Sequence, residues 1–157
     1  MSLSSVRSFL AERAPEIAII ETSASSATVP LAAQAHGVEP AQIAKTLSLR
    51  VGDAVVLVVT SGTARLDNKK ARAVFGGKVR MLGLDEVEAV TGHPVGGVCP
   101  FGLAAPIPVY CDISLKAFDV VVPAAGSPNS ALRIAPDRLA EITEAQWVDV
   151  GQAPPAD

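Results

Sequence analysis

Two strand-like runs, Lys45 to Val51 and Ala54 to Thr60, meet at Gly52-Asp53. Apolar and β-branched residues at strand spacing on both sides of a Gly-Asp pair predict a β-hairpin. Elsewhere the apolar positions recur at helical spacing. Val6, Phe9, Leu10 and Arg13 predict a first helix, with Ser4 or Ser5 as its cap and Pro15 as its stop. Thr28 is placed to cap a second helix through Leu31 and Ala35, which Gly37 closes, and Pro40 opens a short turn. Asp67 caps a third helix running to Phe75, before Gly76-Gly77. Asp85 to Val90 reads as a fourth, and Pro136-Asp137 starts a last one through Leu139 and Ile142. Short strands are expected at Ile17 to Ile20, Val79 to Leu82, Val109 to Asp112, Asp119 to Pro123 and Ala131 to Ile134. The interleaving is irregular, unlike the βαβ alternation of a parallel doubly wound sheet. It predicts a mixed α/β (α+β) fold, with a curved mixed sheet and helices around it.

The chain has 157 residues, 49% hydrophobic and 18% charged, a balance that places its bulk outside the disordered class. One domain is expected over residues 1–150, with no internal repeat or linker, and residues 151–157 read as a frayed tail. No apolar run approaches the length of about 18 residues that a membrane helix needs. Met1 to Arg7 lacks a basic stretch followed by an apolar one, so no secretory signal is expected. Cys99 and Cys111 are too few for a disulfide framework, which makes a reducing cytoplasm the default location. A net charge of −3 argues against a protein that wraps duplex DNA or RNA at length. The charge is uneven, however. Residues 65–80 carry six cations (Arg65, Lys69, Lys70, Arg72, Lys78 and Arg80) against Asp67 alone, a net of +5, which leaves −8 on the rest. Such a face suits a short phosphate segment, and it also suits plain solvent.

Three stretches could carry chemistry. Strand alternation puts Ile43, Lys45, Leu47 and Leu49 on one face, so Lys45 shares an apolar surface at the start of a strand. A desolvated ammonium there needs an anion or several acceptors, unless the side chain reaches out to water past the sheet end. The second stretch, Gly92 to Gly102, holds four glycines and two prolines in eleven residues. Consecutive amides in a stiff glycine loop can converge on a carbonyl oxygen or oxyanion. The same composition also serves as a structural crossover. The third, Ala125 to Ser130, is either an ordinary turn or a presenter of the Ser127 hydroxyl and Asn129 amide. His93 and Cys99, six residues apart, allow a thiol nucleophile in principle. No phosphate-binding P-loop, dinucleotide fingerprint or paired metal-ligand spacing is present, so no cofactor and no metal are expected.

Taken together and in order, these stretches resemble the YbaK/prolyl-tRNA-synthetase-associated editing domain family. The matching residues are Leu31-Ala32-Ala33, Gly37 to Leu47 with Lys45 after Gln42-Ile43-Ala44, Thr91-Gly92-His93, Gly96 to Gly102, and Ala125-Gly126-Ser127. The resemblance implies a strongly bent, mostly antiparallel, barrel-like mixed sheet surrounded by helices. It implies hydrolysis of the ester of a mischarged tRNA, in trans to a synthetase. Under it Lys45 is the family's invariant lysine, and Gly96, Gly97, Val98, Cys99 and Pro100 form its Gly-x-x-x-Pro loop. Cys99 stands where many relatives carry serine. Val29, Leu31 and Thr46 would then border a pocket that sorts side chains, and His93, Gly126, Ser127 and Asn129 would border substrate. Lys69, Lys70 and Arg72 become candidates for tRNA contact. The implied partners are the 3′ end of an aminoacyl-tRNA and prolyl-tRNA synthetase, with no membrane and no DNA. Two other readings stand beside this one: a tRNA- or synthetase-binding module without catalysis, and a small ester or thioester hydrolase using Cys99.

Overall fold

The computed structural model describes residues 2–152. Helix α1 covers Ser2–Arg13 and ends before Pro15. Its start precedes the expected cap, so Ser4 and Ser5 lie inside the first turns. Strand β1, Ile20–Glu21, is shorter than the expected Ile17 to Ile20 and lies later. The reason is a turn in which the Ile17 N–H donates to the Ala14 carbonyl. Helix α2, Val29–His36, is capped as its sequence dictates: Thr28 accepts from the Leu31 N–H, and Gly37 takes the left-handed conformation at φ 66°.

The predicted hairpin forms from β2 (Ile43–Val51) and β3 (Ala54–Ser61), in antiparallel register with Lys45 opposite Thr60 and Val51 opposite Ala54. Strand β4 (Arg65–Leu66) leads into α3 (Asn68–Phe75), whose first turn is capped by Asp67. Then follow β5 (Val79–Met81), α4 (Leu84–Thr91), β6 (Val109–Asp112), β7 (Val122–Pro123) and β8 (Ser130–Ala131). The chain continues through α5 (Pro136–Thr143), β9 (Gln146–Val148) and β10 (Gly151–Gln152).

The main sheet runs β5-β2-β3-β6-β9, with β7 also on β2, and the two pairs β1-β8 and β4-β10 stand apart. Within the main sheet β2 pairs antiparallel with β3 and β5, whereas β2-β7, β3-β6 and β6-β9 are parallel. The sheet is therefore mixed, with a larger parallel share than expected. Among the described residues it ends at β5 and β9 without closing. Gly151 and Gln152, expected in the frayed tail, are instead held as a strand. The buried Asp112 carboxylate accepts the N–H groups of Val150 at 2.8 Å and Gly151 at 3.0 Å. The remainder of that tail, residues 153–157, lies outside the described residues.

Strand β3 is buried on both faces, which explains its near-continuous apolar run. Leu57 and Val59 pack with Val6 and Leu10 of α1 and with Leu139 and Ile142 of α5. Val56 and Val58 pack on the opposite side with Leu49 and with Ala71 of α3. A third, smaller cluster joins Ala32 and Ala33 of α2 to Ile43, Val122 and Ala131.

One detail of the sheet makes room for a site. Along the β2 edge away from β3, β7 covers Ile43 and Ala44, and β5 covers Leu49 to Val51. Lys45 to Leu47 fall in the gap between those two neighbours. The glycine loop at Gly96-Gly97 sits against the turn at Gly126-Ser127, and the Gly126 N–H donates to the Gly97 carbonyl at 3.1 Å. A Cβ on Gly97 would lie 2.5 Å from the Ser127 nitrogen and 2.7 Å from the Gly126 carbonyl carbon, so only glycine fits. Gly97→Ala is expected to lower unfolding free energy by about 1–3 kcal/mol, the usual range for overpacking, as measured by urea titration.

Candidate functional site

The gap in the β2 edge opens on a cavity of about 110 Å³. Ile43, Ala44, Lys45 and Thr46 line it from β2, Ser26 to Val29 and Ala32 from the start of α2, and Val95, Gly96 and Val98 from the glycine loop. Val122, Ala124, Ser130 and Ala131 complete it. The lysine and the loop, 50 residues apart in sequence, thus share one small space.

Lys45 is half-buried on the β2 face that carries Leu47 and Leu49. It has no ion pair or hydrogen bond among the described residues, and no carboxylate lines the cavity. Burial holds its ammonium below the usual lysine range, and the nearby Arg65 guanidinium pushes the same way. Thr46 Oγ1 is buried without a hydrogen-bond partner. A cation and a hydroxyl, both unsatisfied by protein, are features that a bound group with acceptor oxygens would complete.

The glycine loop is less uniform in its donors than the sequence implied. The Gly97 N–H donates to the Pro94 carbonyl at 2.8 Å, so it is not available to a ligand. The amides of Gly96 and Val98 have no protein acceptor at hydrogen-bond geometry among the described residues, and both residues line the cavity. Pro100 and Cys99 lie away from it. Pro100 lines a separate groove with Phe9, Arg13 and residues 102–109.

His93 and Cys99 form an inward cluster. The His93 ring is fully buried, and its Nε2 is 2.7 Å from the Phe101 carbonyl. That carbonyl can only accept, so Nε2 carries the proton, and Nδ1 accepts from the Ser2 hydroxyl. Burial lowers the His93 pKa, against a raising effect of the Phe101 hydrogen bond. Cys99 Sγ lies 3.6 Å from His93 Nε2, a spacing that mimics a catalytic pair. The thiol is wholly buried, however, and burial pushes its pKa up to about 12. A protonated thiol beside a neutral imidazole is no nucleophile. This corrects the reading of Cys99 as a reactive thiol and of His93 as a substrate contact. Both instead fasten the loop to the core and to α1.

The remaining expected contacts divide. Val29 and Thr46 line the cavity, whereas Leu31 is 43% exposed and does not. Ser127 Oγ donates within its own turn, to Ser130 Oγ at 2.6 Å, and Asn129 Nδ2 donates to the Thr22 carbonyl at 2.9 Å. Gly126, Ser127 and Asn129 therefore act as a brace for the loop and for the segment before α2. On α3, Lys70 is engaged by Asp149 and by the Gly151 carbonyl, while Lys69 and Arg72 are exposed along a second groove. Sequence reasoning missed Ser26, Val122 and Ser130. Their one local signal is the Thr28 cap, which fixes where α2 begins; the parallel β2-β7 pairing that brings Val122 in leaves none.

Two outcomes follow for the isolated protein. Lys45 binds its proton less tightly folded than unfolded, so at neutral pH the charge opposes folding. Stability then rises as pH climbs from the folded-state pKa toward the unfolded one. Lys45→Met is expected to raise unfolding free energy at pH 7 by up to about 1 kcal/mol, with the gain shrinking at alkaline pH. Iodoacetamide at neutral pH is expected to leave both buried cysteines unmodified in the native protein, and to label both after denaturation, by mass spectrometry.

Comparison with known proteins agrees with this geometry. A model of the family described as "Aminoacyl-tRNA editing domain" matches residues 23–142. A Bacillus subtilis (strain 168) protein named "Uncharacterized protein YwhH" is 50% identical over 152 residues, 96% of this chain and 97% of that one. An Enterococcus faecalis (strain ATCC 700802 / V583) protein named "Putative Cys-tRNA(Pro)/Cys-tRNA(Cys) deacylase EbsC" is 32% identical over 121 residues, 75% of this chain and 73% of that one. A solved structure described as "Crystal structure of a putative trans-editing enzyme for prolyl tRNA synthetase" superposes with a TM-score of 0.89 at 35% identity, covering 97% of this chain and 98% of that one. With the open mixed sheet, the lysine strand and the braced glycine loop all in place, the chain belongs to the aminoacyl-tRNA editing domain family.

Proposed function

We propose that this protein is a free-standing aminoacyl-tRNA deacylase. It would hydrolyse the ester that joins a small, wrong amino acid to the 3′ end of a tRNA, tRNA-Pro or a related one. The observation that supports this reading is the shared cavity, in which an ammonium without a counter-ion and two loop amides without acceptors face one small space. Attack on an ester carbonyl develops negative charge on its oxygen, and fixed backbone donors in a partly dry site stabilise that charge. Gly96 and Val98 supply those donors in this scheme. Lys45 meets the terminal phosphate or orients polar groups at the ester end.

The residues lining the cavity include no carboxylate, histidine or cysteine that could act as a general base. The attacking water is accordingly helped by the substrate's own ribose hydroxyl, and the protein contributes positioning, which alone supplies several kcal/mol. A space of about 110 Å³ suits a small side chain. Such a pocket separates neighbours differing by one methylene by about 1–3 kcal/mol, which is the discrimination a synthetase lacks when it needs a second sieve. A role on charged tRNA would put the protein in the cytoplasm, with prolyl-tRNA synthetase as the enzyme whose errors it removes.

The test is a panel of tRNAs mischarged with alanine, cysteine, serine, threonine or small non-protein amino acids. At least one ester is expected to be lost faster than in buffer. Lys45→Ala should slow that loss by about 100-fold or more, the scale of losing one transition-state contact, with its thermal midpoint near the parent's. Cys99→Ser should retain turnover. If every ester survives as long as in buffer, the deacylase reading fails, and binding of tRNA without ester loss would leave the non-catalytic module in its place.

A further inference from the structure

The chain has thirteen lysines and arginines. Seven of them are held by an ion pair, a backbone carbonyl or an aromatic ring. Among the described residues the other six, Lys45, Arg65, Lys69, Arg72, Lys78 and Arg80, have no such partner. Five of them lie on one side of the sheet, and Arg80, opposite Arg50, is on the other. Lys45 is in the cavity, and Arg65 is close enough to depress its proton affinity. Lys69, Arg72 and Lys78 line a groove of about 490 Å³ between α3 and β5, with Asn68 and Val79 and no acidic residue. The one carboxylate within residues 65–80, Asp67, is turned to the α3 amides as their cap. In a chain of net charge −3 this leaves one uncompensated basic face.

Sheet register gives the spacing. Val79 of the groove pairs opposite Val51, which follows Lys45 by six residues on the same face of β2, whereas Arg80 pairs opposite Arg50 on the other face. At ~3.3 Å per residue the groove side of the sheet lies ~20 Å from the lysine, about six steps of a stacked nucleic-acid strand at ~3.4 Å each. We infer that Arg65, Lys69, Arg72 and Lys78 form a docking track for the phosphodiester backbone of an RNA whose 3′ end enters the cavity. This inference rests on the deacylase reading for the identity of the RNA. It commits the track to the phosphates some six nucleotides back from that end, where no base is read. Lys70 is not part of it, because Asp149 and the Gly151 carbonyl already hold its ammonium.

The test uses uncharged tRNA and the full chain, so it does not depend on hydrolysis. Binding is measured by filter retention across a salt series for the parent, for a triple variant (Lys69→Gln, Arg72→Gln, Lys78→Gln), and for a control losing three cations elsewhere (Arg7→Gln, Lys116→Gln, Arg133→Gln). The triple variant should weaken binding at least tenfold and flatten the salt slope by about 2–3, as expected when three phosphate contacts are lost. The control should change both far less. An equal response of the two variants, or a parent without salt-dependent binding, overturns the track. Loss of binding in the triple variant with no ester hydrolysis by the parent keeps the track and removes the deacylase reading; hydrolysis with an unmoved salt slope does the reverse.

Discussion

The site depends on an ammonium that the fold leaves unpaired. Placing Lys45 on an apolar strand face, with no carboxylate in reach among the described residues, costs stability that a hydrophobic residue would not. The protein carries that cost in the gap between β7 and β5, where β2 lacks a strand neighbour on one side. A counter-ion from the protein would have lowered the cost and filled the cavity. Its absence keeps the positive charge directed at whatever enters.

The second half of the site is rigid because nearly everything around the glycine loop is committed elsewhere. Gly97 lies flat on Gly126-Ser127, its amide bound to Pro94 and its carbonyl to Gly126. His93 and Cys99 point inward and anchor the loop to Phe101 and α1. The Ser127, Asn129 and Ser130 network ties the brace to the chain before α2. The amides at Gly96 and Val98, without an acceptor among the described residues, are therefore held in place before any ligand arrives, the condition under which backbone dipoles stabilise developing charge most effectively.

Local chemistry made part of this legible in the sequence. The Gly52-Asp53 hairpin, the Thr28 and Asp67 caps, the Gly37 and Gly76 helix ends, and the face shared by Lys45 and Leu49 all follow from neighbouring residues, and the structure carries each of them. The long-range pairings were not legible. Nothing near Val122 announces a parallel partner at Ile43, and nothing in Gln146 to Val148 announces a strand beside β6. Residue roles blurred where a motif mixes two jobs. In Gly96 to Pro100 the spacing marks the loop but not which amides are spent, and His93 with Cys99 has the look of a reactive pair until burial is known. Likewise Lys69, Lys70 and Arg72 read as equals until Asp149 singles out Lys70.

The most direct test of the central claim is an NMR titration of the Lys45 side-chain ammonium, alone and with a non-hydrolysable amide analogue of aminoacyl-adenosine monophosphate. The account requires Lys45 to lose its proton at lower pH than the exposed lysines, and to shift back upward when the analogue fills the cavity. Titration together with the surface lysines, unmoved by the analogue, would contradict it.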